Sequence, residues 1–143
     1  MLKIAVFGTG HLGKFHLNNW QEIDQVTLVG FFDPDDNNAR AVEEKYKIPR
    51  FDDPEKLMDA CDAVDIVAPT VHHFNLCELA LRKGKHVFVE KPLANTMEEM
   101  VTAIIEGVRS TQINRGILVL FDNDPNYAQR IQSMIVSAAW HSG

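Results

Sequence analysis

Five short apolar runs alternate with segments of helical spacing, and this alternation limits the fold more than any other feature of the sequence. The runs are too short to be helices and are apolar throughout, as strands covered on both faces of a parallel sheet are. Helices that join such strands form right-handed βαβ units. We therefore predict an α/β fold, a doubly wound and mainly parallel sheet with helices on both faces. The predicted strands span residues 2–7, 26–32, 63–70, 86–90 and 116–121.

Helical spacing fills the intervals between these runs. The stretch KIPRF, residues 47–51, is predicted to be a short strand or a connector, and Thr96 with Glu99 forms a capping-box pattern that starts a long helix. No linker-like stretch interrupts the alternation, so we predict a single domain over residues 1–143, closed by a helix-strand-helix in residues 101–143. The predicted helices span residues 11–20, 36–47, 53–61, 72–84, 95–109 and 125–138.

Composition narrows the function classes. The 143 residues are 45% hydrophobic and carry a net charge of −6, which indicates one globular domain and argues against nucleic acid as a partner. No apolar run approaches the ~20 residues of a membrane span, so we expect no membrane association. Cys61 and Cys77 are interpreted as reduced packing residues, which favours a cytoplasmic location. We assign no metal ligands.

A glycine-rich turn follows the first predicted strand, in VFGTGHLGKFH at residues 6–16. In such a strand-turn-helix unit, the first glycine makes the turn, the second lets a pyrophosphate approach the backbone, and the third lets the helix pack against the strand. The unpaired amide groups at the helix N-terminus attract phosphate. We therefore predict a dinucleotide site at this turn, formed by Gly8, Thr9, Gly10, His11, Leu12 and Gly13.

Asp33 ends the second predicted strand, twenty residues beyond Gly13. A carboxylate at this position accepts hydrogen bonds from the hydroxyls of an adenosine ribose. The alternative interpretation is that Asp33 begins a turn or caps the next helix. Two more aspartates follow within residues 35–38, and no arginine occurs before Arg40, so a 2′-phosphate would meet negative charge. This pattern favours NAD over NADP.

Two further stretches follow predicted strands, at the sheet edge where doubly wound proteins bind ligands. They are APTVHHF at residues 68–74 and EKP at residues 90–92. Lys91 is either a cation at the mouth of the predicted crevice or an ordinary surface lysine. Of His72 and His73, we expect one to cap or pack the next helix and the other to face the cofactor, although each alone is more often structural.

The segments GTGHLGKFH, FFDPD and APTVHHFNLCELALRKGKHVFVEKPLA resemble, in this order, the N-terminal half of the Gfo/Idh/MocA oxidoreductases. The resemblance covers residues 2 to about 100 and implies a Rossmann fold that binds NAD(H). It places Pro69, Thr70 and His73 along the nicotinamide half of the cofactor. It also makes Glu90, Lys91 and Pro92 the family's EKP motif, whose lysine contacts the substrate hydroxyl that loses its proton. The implied reaction is hydride transfer between NAD and a hydroxyl of a sugar or cyclitol.

Proteins of that family are more than twice as long, and a second domain supplies most of the substrate pocket. We therefore expect the 143-residue chain to bind the cofactor without turning over substrate. Residues 101–143 depart from the family pattern and faintly resemble sugar-binding repressor and periplasmic domains. A chimeric or engineered fold without catalysis, and a small sugar-binding module, are therefore open alternatives. A homo-oligomer is also left open.

Overall fold

A computed structural model describes residues 1–96, 98–102 and 105, together with the backbone of residues 117–119. The strands in this part of the chain form one parallel sheet of five strands, in the order β2-β1-β3-β4-β5. The predicted doubly wound α/β fold is confirmed, and the last described strand pairs in parallel with β4. The strands are β1 (Leu2–Phe7), β2 (Val26–Phe32), β3 (Ala63–Ile66), β4 (His86–Val89) and β5 (Ile117–Val119).

Four helices connect the strands up to β4, and their ends follow local capping rules. Asp35 and Asp53 cap two of them, each accepting hydrogen bonds from two backbone amides of the first turn. Residues 98–102 and 105 are also helical, and the predicted capping box at their start is present, because Glu99 and Thr96 bond each other's backbone amides. The predicted helix 125–138 lies outside the described residues. The four helices are α1 (His11–Gln21), α2 (Asp36–Tyr46), α3 (Pro54–Ala60) and α4 (Thr70–Arg82).

The helices cover the two faces of the sheet in pairs. Leu17 of α1 and Val42 of α2 pack with Val6 and Phe31 on one face, which we call the α1 face. Helices α3 and α4 pack on the opposite face, because alternate strand residues point to opposite sides. Cys61 and Cys77 are free, buried members of this second core, so their predicted packing role is confirmed.

The stretch KIPRF crosses the sheet edge beside β2. Arg50 forms an isolated parallel bridge with Phe31, which makes this stretch a connector with a single strand-like contact. The third predicted strand ends at Ile66, earlier than expected, because Ala68 and Pro69 lead directly into α4. None of the described helices combines the length and the apolar composition that crossing a membrane requires.

Candidate functional site

The segments that follow the first four strands meet at one edge of the sheet. The amide of Gly8 donates to the Phe32 carbonyl at 2.9 Å, which joins the segments after β1 and β2. The amide of Val67 donates to the Phe7 carbonyl at 2.8 Å. The amide of Glu90 donates to Ile66 at 2.9 Å, so the segment after β4 is joined to the same edge. The structure therefore brings together every segment in which the sequence predicts site residues.

Two of the three glycines in the turn after β1 are required by the fold itself. Gly8 has a φ of +95°, in the left-handed region, and a Cβ there would lie 2.6 Å from the backbone of Ala68. A Cβ on Gly13 would lie 2.1 Å from the carbonyl oxygen of Gly8, so α1 approaches the end of β1 too closely for any side chain at this position. The predicted roles of Gly8 in the turn and of Gly13 in packing are confirmed.

Gly10 differs from its two neighbours because it faces open space. It is the N-cap of α1, and a Cβ placed on it would meet no atom within 4 Å. The first amide groups of an α-helix have no acceptor within the helix, and a glycine cap provides no side chain to bind them. His11 and Leu12, which begin α1, are exposed. An anionic group such as a phosphate fits this opening.

Thr9 has a different role from the rest of the turn, because it is fully buried and bonds to Asp33. Its amide and its hydroxyl donate to Asp33 Oδ2 at 2.9 Å and 2.7 Å. Both of its donors are therefore used within the protein. A cofactor contact of Thr9 stays a prediction, and the structure gives this residue the task of orienting the carboxylate.

Asp33 is 7% exposed and follows directly after the end of β2. Asn38 adds a third donor to Oδ2 at 2.9 Å, while Oδ1 accepts the amide of Asp35 at 2.9 Å. Burial alone would raise the pKa of Asp33, but the hydrogen bonds from Thr9, Asp35 and Asn38 outweigh it and lower the pKa. Asp33 is thus a fixed anion, with acceptor capacity remaining on Oδ1. The helix cap is Asp35, two residues later.

Arg50 also lies beside Asp33, which sequence reasoning missed. Its guanidinium donates to the backbone carbonyl of Asp33 at 3.2 Å and to the Asp36 carboxylate at 2.5 Å. Its Nε lies 3.5 Å from Asp52. The residues that follow Asp33 in sequence do not reveal this guanidinium, because the bridge between Arg50 and Phe31 places a residue distant in sequence at the end of β2.

His73 joins two segments of the sheet edge from the α4 side. One ring nitrogen lies 2.6 Å from the carbonyl oxygen of Ala68, and the other lies 2.7 Å from that of Pro92. The ring is buried, whereas His72 is exposed. Of the two histidines, His73 is therefore the packed one, and a cofactor contact through its nitrogens would require one of these contacts to break. Pro69 is exposed at the start of α4.

A partly buried network on the α1 face is a second group of residues that sequence reasoning missed. Asp65 Oδ2 lies 2.8 Å from His16 Nδ1 and accepts the indole N–H of Trp20. The other ring nitrogen of His16, Nε2, lies 3.1 Å from Glu90 Oε1. We call these four residues the His16 network. The signal in the sequence was an aspartate inside the apolar run AVDIV.

The EKP segment begins where the His16 network ends. Glu90 Oε2 accepts the backbone amide of Lys91 at 3.3 Å, and the side chains of Lys91 and Pro92 are exposed. The Lys91–Pro92 peptide bond is cis. The segment thus projects a lysine from the sheet edge while one neighbour is bonded to the α1 face and the other to His73 of α4.

This geometry agrees with the comparison to known protein families. The family described as "Oxidoreductase family, NAD-binding Rossmann fold" matches residues 2–112. The chain belongs to the Gfo/Idh/MocA oxidoreductase family. Its sheet and helices are the NAD-binding Rossmann domain of such an oxidoreductase.

Individual members of the Gfo/Idh/MocA family match over most of this chain. A UDP-N-acetylglucosamine 3-dehydrogenase from Acidithiobacillus ferrooxidans is 37% identical over 68% of the chain and 31% of its own length. The scyllo-inositol 2-dehydrogenase (NAD(+)) of Bacillus subtilis is 34% identical over 89% of the chain and 38% of its own length. The chain therefore spans about a third of the length of these curated relatives.

A solved family member contains its cofactor. The crystal structure of scyllo-inositol dehydrogenase from Lactobacillus casei, with bound NAD(H) and scyllo-inositol, has a TM-score of 0.76 and 26% sequence identity. The match covers 93% of this chain and 41% of that protein. The described fold is therefore shared with a dehydrogenase that binds a nicotinamide dinucleotide.

Proposed function

We propose that the chain binds NAD(H) at the carboxyl edge of its sheet, with the pyrophosphate against the N-terminus of α1. The observation that carries this proposal is the open space over Gly10, beside helical amide groups that no side chain caps. His11 and Leu12 supply the next two amides of the helix end. The Lactobacillus casei relative, solved with NAD(H) bound, supports the same cofactor.

In this proposal Asp33 accepts a hydrogen bond from the adenosine ribose. Thr9, Asp35 and Asn38 already hold the carboxylate in place, so binding requires no reorientation of the acid. Pro69, Thr70 and His73 lie along the nicotinamide half, at the start of α4, where Pro69 is exposed.

The charges beside this acid favour NAD over NADP. Arg50 is the one cation that the structure's described contacts bring against Asp33, and it is already engaged by Asp36 and Asp52. A 2′-phosphate would therefore have to displace a carboxylate from Arg50 while lying near Asp33. Bringing two like charges together is unfavourable, so the dinucleotide without a 2′-phosphate binds more tightly.

The proposed reaction of a protein that contains this chain as its cofactor domain is hydride transfer involving a hydroxyl-bearing carbon of a sugar or cyclitol. The relatives named as dehydrogenases of UDP-N-acetylglucosamine and scyllo-inositol support this substrate class. A nicotinamide dinucleotide supplies the hydride chemistry when it is bound. Lys91 assists removal of the hydroxyl proton, since its side chain is exposed on the segment after β4. Glu90 and Pro92 hold the segment that carries it.

We also propose a cytoplasmic location. Cys61 and Cys77 are free thiols within the core, and burial raises their pKa values to about 11 and about 12. Unpaired, unreactive thiols of this kind are typical of proteins kept in a reducing compartment.

Titration of the purified chain with NADH and with NADPH, followed by cofactor fluorescence, tests the proposal. We expect saturable binding, tighter for NADH by roughly tenfold or more, because a charged hydrogen bond contributes about 1.5–3 kcal/mol. Asp33→Ser should narrow the difference between the affinities for NADH and NADPH. The matched control is Asp24→Ser, which removes the same charge from an exposed loop before β2, at the opposite edge of the sheet.

Two outcomes would contradict this account. Absence of saturable NADH binding would overturn the proposed function as a whole. Tighter binding of NADPH by the parent chain would leave a dinucleotide site but overturn the assignment of Asp33 to the ribose.

A further inference from the structure

Burial of the Asp65 carboxylate in the His16 network is energetically unfavourable, and packing of the fold does not require it. Asp65 lies in the middle of β3 among Ala63, Val64 and Ile66, and it is fully buried. Its Oδ1 has no hydrogen-bond partner within the described residues, so only Oδ2 is bonded. Burying a carboxylate is expensive unless it is paired, and an apolar residue at this position would avoid the expense. The acid therefore calls for an explanation beyond packing.

His16 links this buried acid to the edge of the sheet. It stands between two carboxylates, with Nδ1 at 2.8 Å from Asp65 and Nε2 at 3.1 Å from Glu90. Only the protonated imidazole can donate from both nitrogens. The hydrogen bond to Asp65 raises the pKa of His16, against the opposing effect of burial, and the charges of Asp65 and Glu90 raise it further. The two carboxylate contacts thus favour the protonated form of the ring.

The surroundings of His16 contain no competing charge among its described contacts. The titratable groups that contact the ring are Asp65 from β3 and Glu90 after β4. Phe88 of β4 lies with its ring centroid 5.9 Å from that of His16, and Trp20 packs against Phe88 from α1. A small cavity of about 280 Å³ opens beside His16, Trp20, Phe88 and Glu90, so Glu90 has room to move if His16 releases it.

Glu90 continues the chain of bonds to the lysine of the proposed site. One carboxylate oxygen contacts His16 and the other accepts the amide of Lys91. His73 holds Pro92 from the opposite face of the sheet. The backbone on which Lys91 stands is therefore bonded on both sides, through His16 from α1 and through His73 from α4.

We propose that His16 is a positioning residue for Lys91. The ring of His16 joins the buried carboxylate of Asp65 to Glu90 and so fixes the backbone of the EKP segment. The proposal rests on the proposed function for the importance of Lys91, while the coupling it describes exists without cofactor. When His16 loses its proton, it can no longer donate to both carboxylates. Glu90 then loses a partner, and the Lys91 amide changes its environment.

Nuclear magnetic resonance on the cofactor-free chain tests this coupling. The ring signals of His16 give its protonation midpoint, and the ¹⁵N–¹H signal of Lys91 is followed through the same pH range, above the range in which carboxylates titrate. We expect the Lys91 signal to shift with the midpoint of His16 and not with those of His72 or His86. In Glu90→Gln, the ring of His16 should still titrate, but the Lys91 signal should lose that midpoint.

A second pair of variants separates positioning from packing. His16→Gln should abolish the pH-dependent shift of the Lys91 amide signal and accelerate hydrogen exchange of this amide relative to that of Val87 in the preceding strand, β4. His72→Gln, on the exposed surface of α4, should change neither property. A purely structural role predicts lower stability in His16→Gln with no selective change at Lys91.

The proposal is overturned if the Lys91 amide signal still shifts at the His16 midpoint in Glu90→Gln. It is also overturned if the Lys91 amide signal of the parent chain does not shift at that midpoint. These measurements still decide the question if His16→Gln does not fold. Because they need no cofactor, a failure to bind NADH would count against the proposed function and leave this result standing.

Discussion

At Gly10, a side chain would enter the space over the end of α1 rather than the protein interior. We therefore predict that Gly10→Ala and Gly10→Val fold. Their free energy of unfolding should fall by about 1 kcal/mol or less, because alanine and valine are poorer N-caps than glycine. NADH affinity should fall in the order glycine, alanine, valine, by tenfold or more for valine. Fluorescence titration measures the affinity and chemical denaturation measures the stability.

Gly8→Ala is the matched contrast to the Gly10 variants. A Cβ at Gly8 would lie 2.6 Å from the backbone of Ala68, and the φ of +95° strains any other residue. This variant should lose stability even without cofactor. Equal NADH affinity of Gly10→Val and the parent chain would show that the turn has a structural role alone.

Asp36 shields Arg50, the guanidinium beside Asp33. Asp36→Asn should free Arg50 to meet a 2′-phosphate, so NADPH affinity should rise by roughly threefold to tenfold while NADH affinity changes little. Parallel titration with both cofactors checks this. Asp52→Asn, whose carboxylate lies farther from the guanidinium at 3.5 Å, should have a smaller effect. An unchanged ratio of the two affinities in Asp36→Asn would mean that Arg50 does not reach the ribose.

Those site residues that are close in sequence were the predictable ones. The spacing of Gly8 and Gly13 prescribes a turn and a helix contact within six residues, and the structure has both. Arg50 and His16 reach the site over longer separations, 17 residues to Asp33 and 49 to Asp65. These contacts depend on which strands are neighbours and in what register, and no local pattern states that.

At the scale of elements, the acidic stretch after β2 contains one residue that caps α2 locally and another that makes a tertiary contact. Asp35 accepts the amides of Asn37 and Asn38, while Asp33 faces Thr9. Asp33 begins a turn by accepting the amide of Asp35, and Asp35 caps α2, so the two parts of the alternative interpretation fall on two residues, while ribose binding by Asp33 stays a prediction. Apolar runs predicted the strands well, but the end of β3 was misplaced because Val67 and Ala68 are as apolar as the strand before them.

The cap itself can be tested. Asp35→Ala should lower the free energy of unfolding by about 0.5–2 kcal/mol, since two amides at the start of α2 lose their acceptor. Chemical denaturation gives the change, and Asp24→Ala in the exposed loop before β2 is the control. A loss no larger than that of the control would mean that water replaces the cap without cost.

For the molecule as a whole, two ionised groups set opposite limits on stability against pH. The lowered pKa of Asp33 means that its contribution is present above its unfolded pKa and is lost as the pH falls through the folded value. The raised pKa of His16 means the reverse, because its contribution is complete below the unfolded pKa and is lost as the pH rises through the folded value. Stability should therefore be highest between the two.

Denaturation at a series of pH values measures this profile. His16→Gln should remove the loss of stability that follows deprotonation of His16 as the pH rises. It should keep the loss of stability that follows protonation of Asp33 as the pH falls. His72→Gln should keep both, since that ring is exposed on α4. If His16→Gln retains the alkaline loss at the same midpoint, another group is responsible for it.

The last prediction concerns turnover by the 143-residue chain alone. Hydride transfer requires the hydroxyl-bearing carbon to be held in a reactive geometry, and such positioning contributes about 7–11 kcal/mol. At the carboxyl edge of the sheet, the EKP segment offers an exposed lysine, Lys91, and Glu90 and His73 hold this segment. The chain corresponds to 31–38% of the curated relatives, and the rest of their length lies outside the match. We therefore predict that this chain binds NAD(H) yet turns over no sugar, cyclitol or simple hydroxy acid.

Absorbance at the NADH band over a panel of these compounds is the measurement, with Lys91→Ala as control. Robust turnover that disappears in Lys91→Ala would show that the edge of this sheet positions substrate without further protein.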